Sequence, residues 1–176
     1  MRRRTAAVSS AVFFVVGPGV FAGLIPWLLT GWRVQEPVPY FAPVRVLGTV
    51  VLAAGLMVMV QAFARFVVEG LGTPVPVAAP DRLVVGGLYR HVRNPMYVAG
   101  VAIIVGQALA LGQTILLLYA VAVWLVVASF VHWYEEPTLS RKFGAQYETY
   151  RRAVPAWWPR LRPWEPGGRN VEPRTR

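Results

Sequence analysis

The chain reads as an all-α integral membrane helical bundle. About four transmembrane helices are expected, the third and fourth as a helical hairpin, with a C-terminal amphipathic helix after them. Three observations predict this. Hydrophobic residues make up 56% of the 176 positions and charged residues only 15%, well under the roughly 25% of soluble domains. Mean hydropathy is +0.47. The apolar residues fall in long runs flanked by arginines, the pattern a bilayer imposes.

The first run follows Met1–Arg4 and extends from about Ala6 to Leu29. It is longer than a secretory signal core and lacks a small-residue cleavage site, so a retained helix is expected. Gly17-Pro18-Gly19 should bend or break it. Residues 31–43, GWRVQEPVPYFAP, read as a loop. The second run covers about Val44 to Val68. Residues 70–81 hold three prolines and two glycines and read as an extended connection. From about Pro95 to Trp133 the chain is almost wholly apolar; one helix there would measure roughly 58 Å, about twice a hydrocarbon core. A hairpin turning near Leu111-Gly112-Gln113 resolves the excess length. Beyond Glu135, Leu139, Phe143, Tyr147, Tyr150 and Val154 recur at helical spacing, which predicts one amphipathic helix stopped by Pro155. Ala156–Trp164 is aromatic and basic and suits a head-group environment. A single domain over 1–160 follows, with a basic, disordered tail over 161–176.

Most Lys and Arg flank the N-terminus, the 70–94 connection and the tail. Positive charge marks the cytoplasm, so both termini are expected inside, in a bacterial-type inner membrane. The net charge of +10 then reports topology and contact with membrane lipids. No groove-reading motif makes nucleic acid a partner. The absence of cysteine excludes disulfides and thiolate chemistry. His91 and His132 lack metal-ligand spacing, and no metal is expected.

Two polar clusters should meet at the cytoplasmic face: GGLYRHVRNPMY before the third span, and Glu135-Glu136 after the fourth. Asn94-Pro95 reads as a cap followed by proline at the first helical position. A helix start and Arg93 suit a carboxylate. Tyr89 and Tyr97 offer flat faces for a ring or a cation. Glu135 and Glu136 either pair with Arg90, Arg93 or tail arginines, or accept hydrogen bonds from a ligand. Gln61, Gln107 and Gln113 read as interhelical hydrogen-bonding groups, and Ala102 with Gly106 as a small-residue packing pair. The local chemistry describes a site for a zwitterion bearing an aromatic ring.

DRLVVGGLYRHVRNPMYVAG, a membrane hairpin, and EEPTLSRKFGAQYETYRRAVPAWWP together resemble the isoprenylcysteine carboxyl methyltransferase family, within a wider group that includes phospholipid methyltransferases. The resemblance covers about residues 81–160; the first two spans show no such signature. It implies S-adenosylmethionine as methyl donor in a cytoplasmic pocket. Carried over, the cofactor-binding residues are Leu83, Val84, Tyr89, Arg93, Asn94, Pro95 and Glu135, with Asn94 where many members have His. Tyr97 and Glu136 are candidates for the substrate; no catalytic residue is assigned. Val131 stands where eukaryotic members carry an Arg associated with prenylated substrate, which argues against prenylcysteine as acceptor. The expected function is methyl transfer to a lipophilic small molecule or lipid-modified substrate. The alternative is a non-enzymatic membrane protein, a structural partner or transport subunit.

Overall fold

The computed structural model describes residues 17–70 and 83–165, with side chains at 66–70 left aside. The expectations for the first sixteen residues, most of the 70–81 connection and the end of the tail lie outside the described residues. Within them the chain is helical, with no strand. Five helices appear: α1 Gly17–Thr30, α2 Ala42–Gly70, α3 Pro95–Leu111, α4 Thr114–Phe143 and α5 Ala145–Ala153. Two are long and apolar enough to cross a membrane, Ala42–Arg65 of α2 and the whole of α4. The described part of α1 and the 17-residue α3 are apolar but shorter. Only 22% and 17% of the two long apolar windows are buried in the protein. Core helices of a soluble domain would be covered. Here Met57 and Val60 on α2, and Leu118 and Val126 on α4, stand outward, as lipid-facing residues do. The protein is a membrane protein.

The hairpin forms where expected. Gly112 adopts φ 69°, and its N–H closes on Ala108 O. A left-handed residue ends the helix, which glycine does without strain. A Cβ there would also strike Gln35 O. The loop after α1 holds this turn: Gln35 N donates to Leu111 O at 2.7 Å and Gln113 Nε2 to Arg33 O at 2.7 Å. α2 runs antiparallel along α3, with Gly48 against the Ala110 backbone and Gly55 against Ile103. Of the small-residue pair, Gly106 makes the approach; a Cβ on it would lie 2.5 Å from Leu52 N. Met59, Ala99 and Ile103 fill the α2–α3 seam, while Ile104, Ala108, Leu116 and Ala120 fill the α3–α4 seam.

The first helix departs from expectation. Gly17–Gly19 is helical, and the disturbance is a π-turn at Val20–Leu24, where Ile25 N reaches back to Val20 O. The cause is Pro26, which has no N–H to give. The π-turn and the proline together deprive Phe21 O and Ala22 O of their helical donors. Both are served from other helices: Tyr119 OH donates to Phe21 O at 2.9 Å and Gln107 Nε2 to Ala22 O at 2.6 Å. Gln107 Oε1 in turn accepts from Trp32 Nε1 at 3.2 Å. Freed backbone groups inside a membrane must be met this way. Gln107→Leu therefore leaves a carbonyl and an indole N–H without partners and is expected to cost about 1–3 kcal/mol, read as a lowered unfolding midpoint in detergent.

The amphipathic stretch also differs. Its first turns continue α4, and Gly144, at φ 51° and ψ −128°, separates α5. The side-chain stripe nevertheless survives the break. Tyr147, Tyr150 and Val154 form one buried cluster, with Leu139 and Phe143 packed against it.

Candidate functional site

α4 carries a second π-turn, Val131–Glu135, immediately before Pro137. As in α1, the proline removes a ladder donor and the helix loosens one turn earlier. Such π-turns recur at functional sites. Here the turn delivers Glu135 and Glu136 toward the start of α3.

Glu136 takes the arginines. Arg93 Nη1 donates to its Oε1 at 2.7 Å, with both side chains largely shielded, at 12% and 13% exposure. Arg151 Nε lies 3.7 Å from Oε2. Glu135 takes a hydroxyl: Tyr97 OH donates to its Oε2 at 3.0 Å. Of the arginine pairings expected for the two glutamates, those with Arg93 and Arg151 fall on Glu136, because the two successive carboxylates point to different sides of one helix. Arg90 does not join them; it lies 3.5 Å from Glu165.

Arg93 Nη1 also donates to Tyr147 OH at 3.1 Å. Burial raises the Tyr147 phenol above its ordinary range, with Arg93 opposing. Burial raises Tyr150 likewise. Both are therefore neutral hydroxyls at physiological pH. Arg93 Nε is buried and has no hydrogen-bond partner among the described residues. A buried guanidinium N–H without an acceptor is costly and suits an anionic ligand group.

Asn94 occupies the backbone N-cap position of α3 with no side-chain cap bond. Its Nδ2 instead donates to Ala156 O at 3.2 Å, which corrects the capping role read from its type. Pro95 is at the first helical position and fully buried. Val84 and Tyr89 pack with Ala62 beneath the site, and Leu83 packs against Tyr147 and Tyr150. Tyr150 OH donates to Tyr89 O at 2.6 Å. The structure thus joins Arg93, Glu136, Glu135, Tyr97 and Tyr147 in one polar cluster and sets Leu83, Val84, Tyr89 and Pro95 as its apolar supports.

Residues 154–165 form a strap across the 90–94 segment, which the sequence reading did not foresee. Arg93 N donates to Pro155 O at 2.9 Å, Arg160 N to His91 O at 3.0 Å, and Trp164 N to Arg90 O at 2.9 Å. His91 Nδ1 lies 2.8 Å from Arg160 O; a carbonyl only accepts, so this nitrogen carries the proton. The strap runs past residue 160, where the domain was expected to end. Tyr147 was also missed as a site residue, although it stands in the second quoted segment, four residues after Phe143.

With this geometry in view, residues 44–146 match the family model for phospholipid methyltransferase. That is more than half of the chain. The chain belongs to the phospholipid methyltransferase family. Membership makes it a membrane methyltransferase. The family match reaches from α2 through both polar clusters to the start of α5, so it includes a helix in which no motif was legible, and it stops before the strap. Curated proteins and solved structures give no match.

Proposed function

We propose that this phospholipid methyltransferase family member uses S-adenosylmethionine to methylate a lipophilic acceptor at the cytoplasmic face of a bacterial-type inner membrane. The observation that carries the reading is the shielded Arg93–Glu136 pair with Tyr147, beside Glu135 and Tyr97; all of these but Tyr147 lie inside the family-matched region, which ends one residue before it. Its donor set fits the cofactor. The spare Arg93 N–H suits a carboxylate. Glu135 suits hydroxyl or ammonium donors, and the tyrosines suit a cationic or aromatic group. Leu83, Val84, Tyr89, Asn94 and Pro95 hold these groups in register. Tyr97 and Glu136 extend the site toward the acceptor.

The cofactor supplies an already activated methyl group. What remains for the protein is to bind, align and exclude water, and alignment alone supplies about 7–11 kcal/mol in favourable cases. The Arg93–Glu136 pair fixes one wall, Glu135 and Tyr97 the other. In this reading α1 to α4 are four spans with both termini inside. At 17 residues, α3 measures about 26 Å, so local thinning of the bilayer accompanies it. Calorimetric titration of the purified protein with S-adenosylmethionine, in detergent and in lipid nanodiscs, tests the proposal. Saturable one-to-one binding is expected; absence of binding in both media removes the cofactor from the reading.

A further inference from the structure

The strap has two faces. Trp157, Arg160 and Trp164 turn inward: Trp164 packs on Tyr150 with ring centroids 5.3 Å apart, and Arg160 Nη1 donates to Ala153 O at 2.6 Å. Trp158 and Leu161 turn outward, at 81% and 98% exposure, and Arg162 is exposed between them and the chain's end. A second contact ties the strap to the apolar span. Trp157 lies edge-on to Trp124, with centroids 6.4 Å apart, and Trp124 belongs to the apolar span of α4. The Trp157 ring thus reaches from the strap onto the apolar span, and Trp158, Leu161 and Arg162 are residue types that a bilayer interface favours, whereas water disfavours a bare leucine. Exposed Lys142, Arg151 and Arg152 lie on the neighbouring helices. The strap's one exposed carboxylate, Glu165, is engaged by Arg90.

We propose that the outer face of the strap, carried by Trp158, Leu161 and Arg162, docks into an anionic lipid surface and thereby locks the strap on the 90–94 segment that presents Arg93. The inference rests on the membrane placement but not on the cofactor or the reaction. The lock works through the backbone: Pro155 O and Ala156 O hold Arg93 N and Asn94 Nδ2. Lipid contact that steadies the strap therefore steadies Arg93.

The test is hydrogen exchange of strap peptides in nanodiscs of phosphatidylcholine alone or mixed with phosphatidylglycerol, without cofactor. Exchange of the 154–165 amides is expected to slow several-fold when phosphatidylglycerol is present, while α3 amides do not change. A Trp158→Ser/Leu161→Ser/Arg162→Gln variant should lose that dependence. Arg162→Gln alone, which removes no packing, should lose part of the slowing and keep the rest, because it removes one basic residue from an anionic surface and leaves Trp158 and Leu161 in place. Equal exchange in both lipids, or equal behaviour of variant and parent, overturns the proposal. So does inorganic phosphate reproducing the effect in phosphatidylcholine, since that result describes an anion site and not a surface. Because exchange is read without cofactor, failure of the methyltransferase reading leaves this outcome untouched.

Discussion

Arg93→Ala is expected to abolish cofactor binding and to destabilise the protein by about 3 kcal/mol. The substitution leaves Glu136, 13% exposed, without its close partner. Arg151 remains, but at 3.7 Å and 46% exposure, so it compensates only in part. The Tyr147 hydroxyl loses its donor as well. Two companions separate stability from function. Arg93→Ala/Glu136→Gln removes both charges and should recover most of the lost stability, because a neutral amide is far cheaper to leave shielded than a carboxylate. It should not recover binding. Arg93→Lys keeps the charge and a nitrogen for Glu136 and Tyr147, both of which are met by Nη1 alone, but gives up the buried Nε–H assigned to the ligand, and should bind weakly. Thermal unfolding in detergent and calorimetry with S-adenosylmethionine read the two quantities on one preparation. A double variant that binds the cofactor normally would reduce Arg93 to a structural cation.

Glu135→Gln is the complementary case, a large loss of binding with the fold intact. An amide oxygen can still accept from Tyr97 OH, so the observed contact at 3.0 Å survives. Only the negative charge goes. A charge-assisted hydrogen bond is worth about 1.5–3 kcal/mol, so affinity should fall roughly 10–100-fold while the unfolding midpoint moves little. Glu136→Gln should show the reverse balance, with stability lost first, because Glu136 is the carboxylate held by Arg93 and Arg151. Equal affinity in Glu135→Gln and the parent would mean that the carboxylate facing Tyr97 does not meet the ligand. The two glutamates are adjacent in sequence, yet the structure assigns them different partners; the pair of variants tests whether it also assigns them different work.

Much of this architecture was readable because it depends on short-range rules. An apolar run has one way to satisfy its backbone in lipid, so the helices of α2, α3 and α4 follow from composition. Gly112 between two such runs marks a turn for the same local reason. The spacing of Leu139, Phe143, Tyr147, Tyr150 and Val154 exposed a single buried stripe, and that stripe is the cluster observed. The two polar clusters could be placed side by side because a hairpin must return the chain to the face it left.

Other features required contacts between residues far apart in the chain. Nothing local distinguishes Glu135 from Glu136; the choice comes from where Tyr97 and Arg93 stand once α3 packs against α4. Asn94 has the side chain of a helix cap, but the strap offers it a carbonyl, and that partner wins. Prolines at 26 and 137 account for the two π-turns locally, but the donors that meet the carbonyls freed before Pro26, Tyr119 and Gln107, stand on other helices. The strap was invisible because its bonds join residues 90–94 to 155–164 through main-chain groups, which every residue possesses and no residue type announces. Periodicity and composition report which surfaces leave water; they do not report which particular donor meets which acceptor, and at this site those pairings set the chemistry.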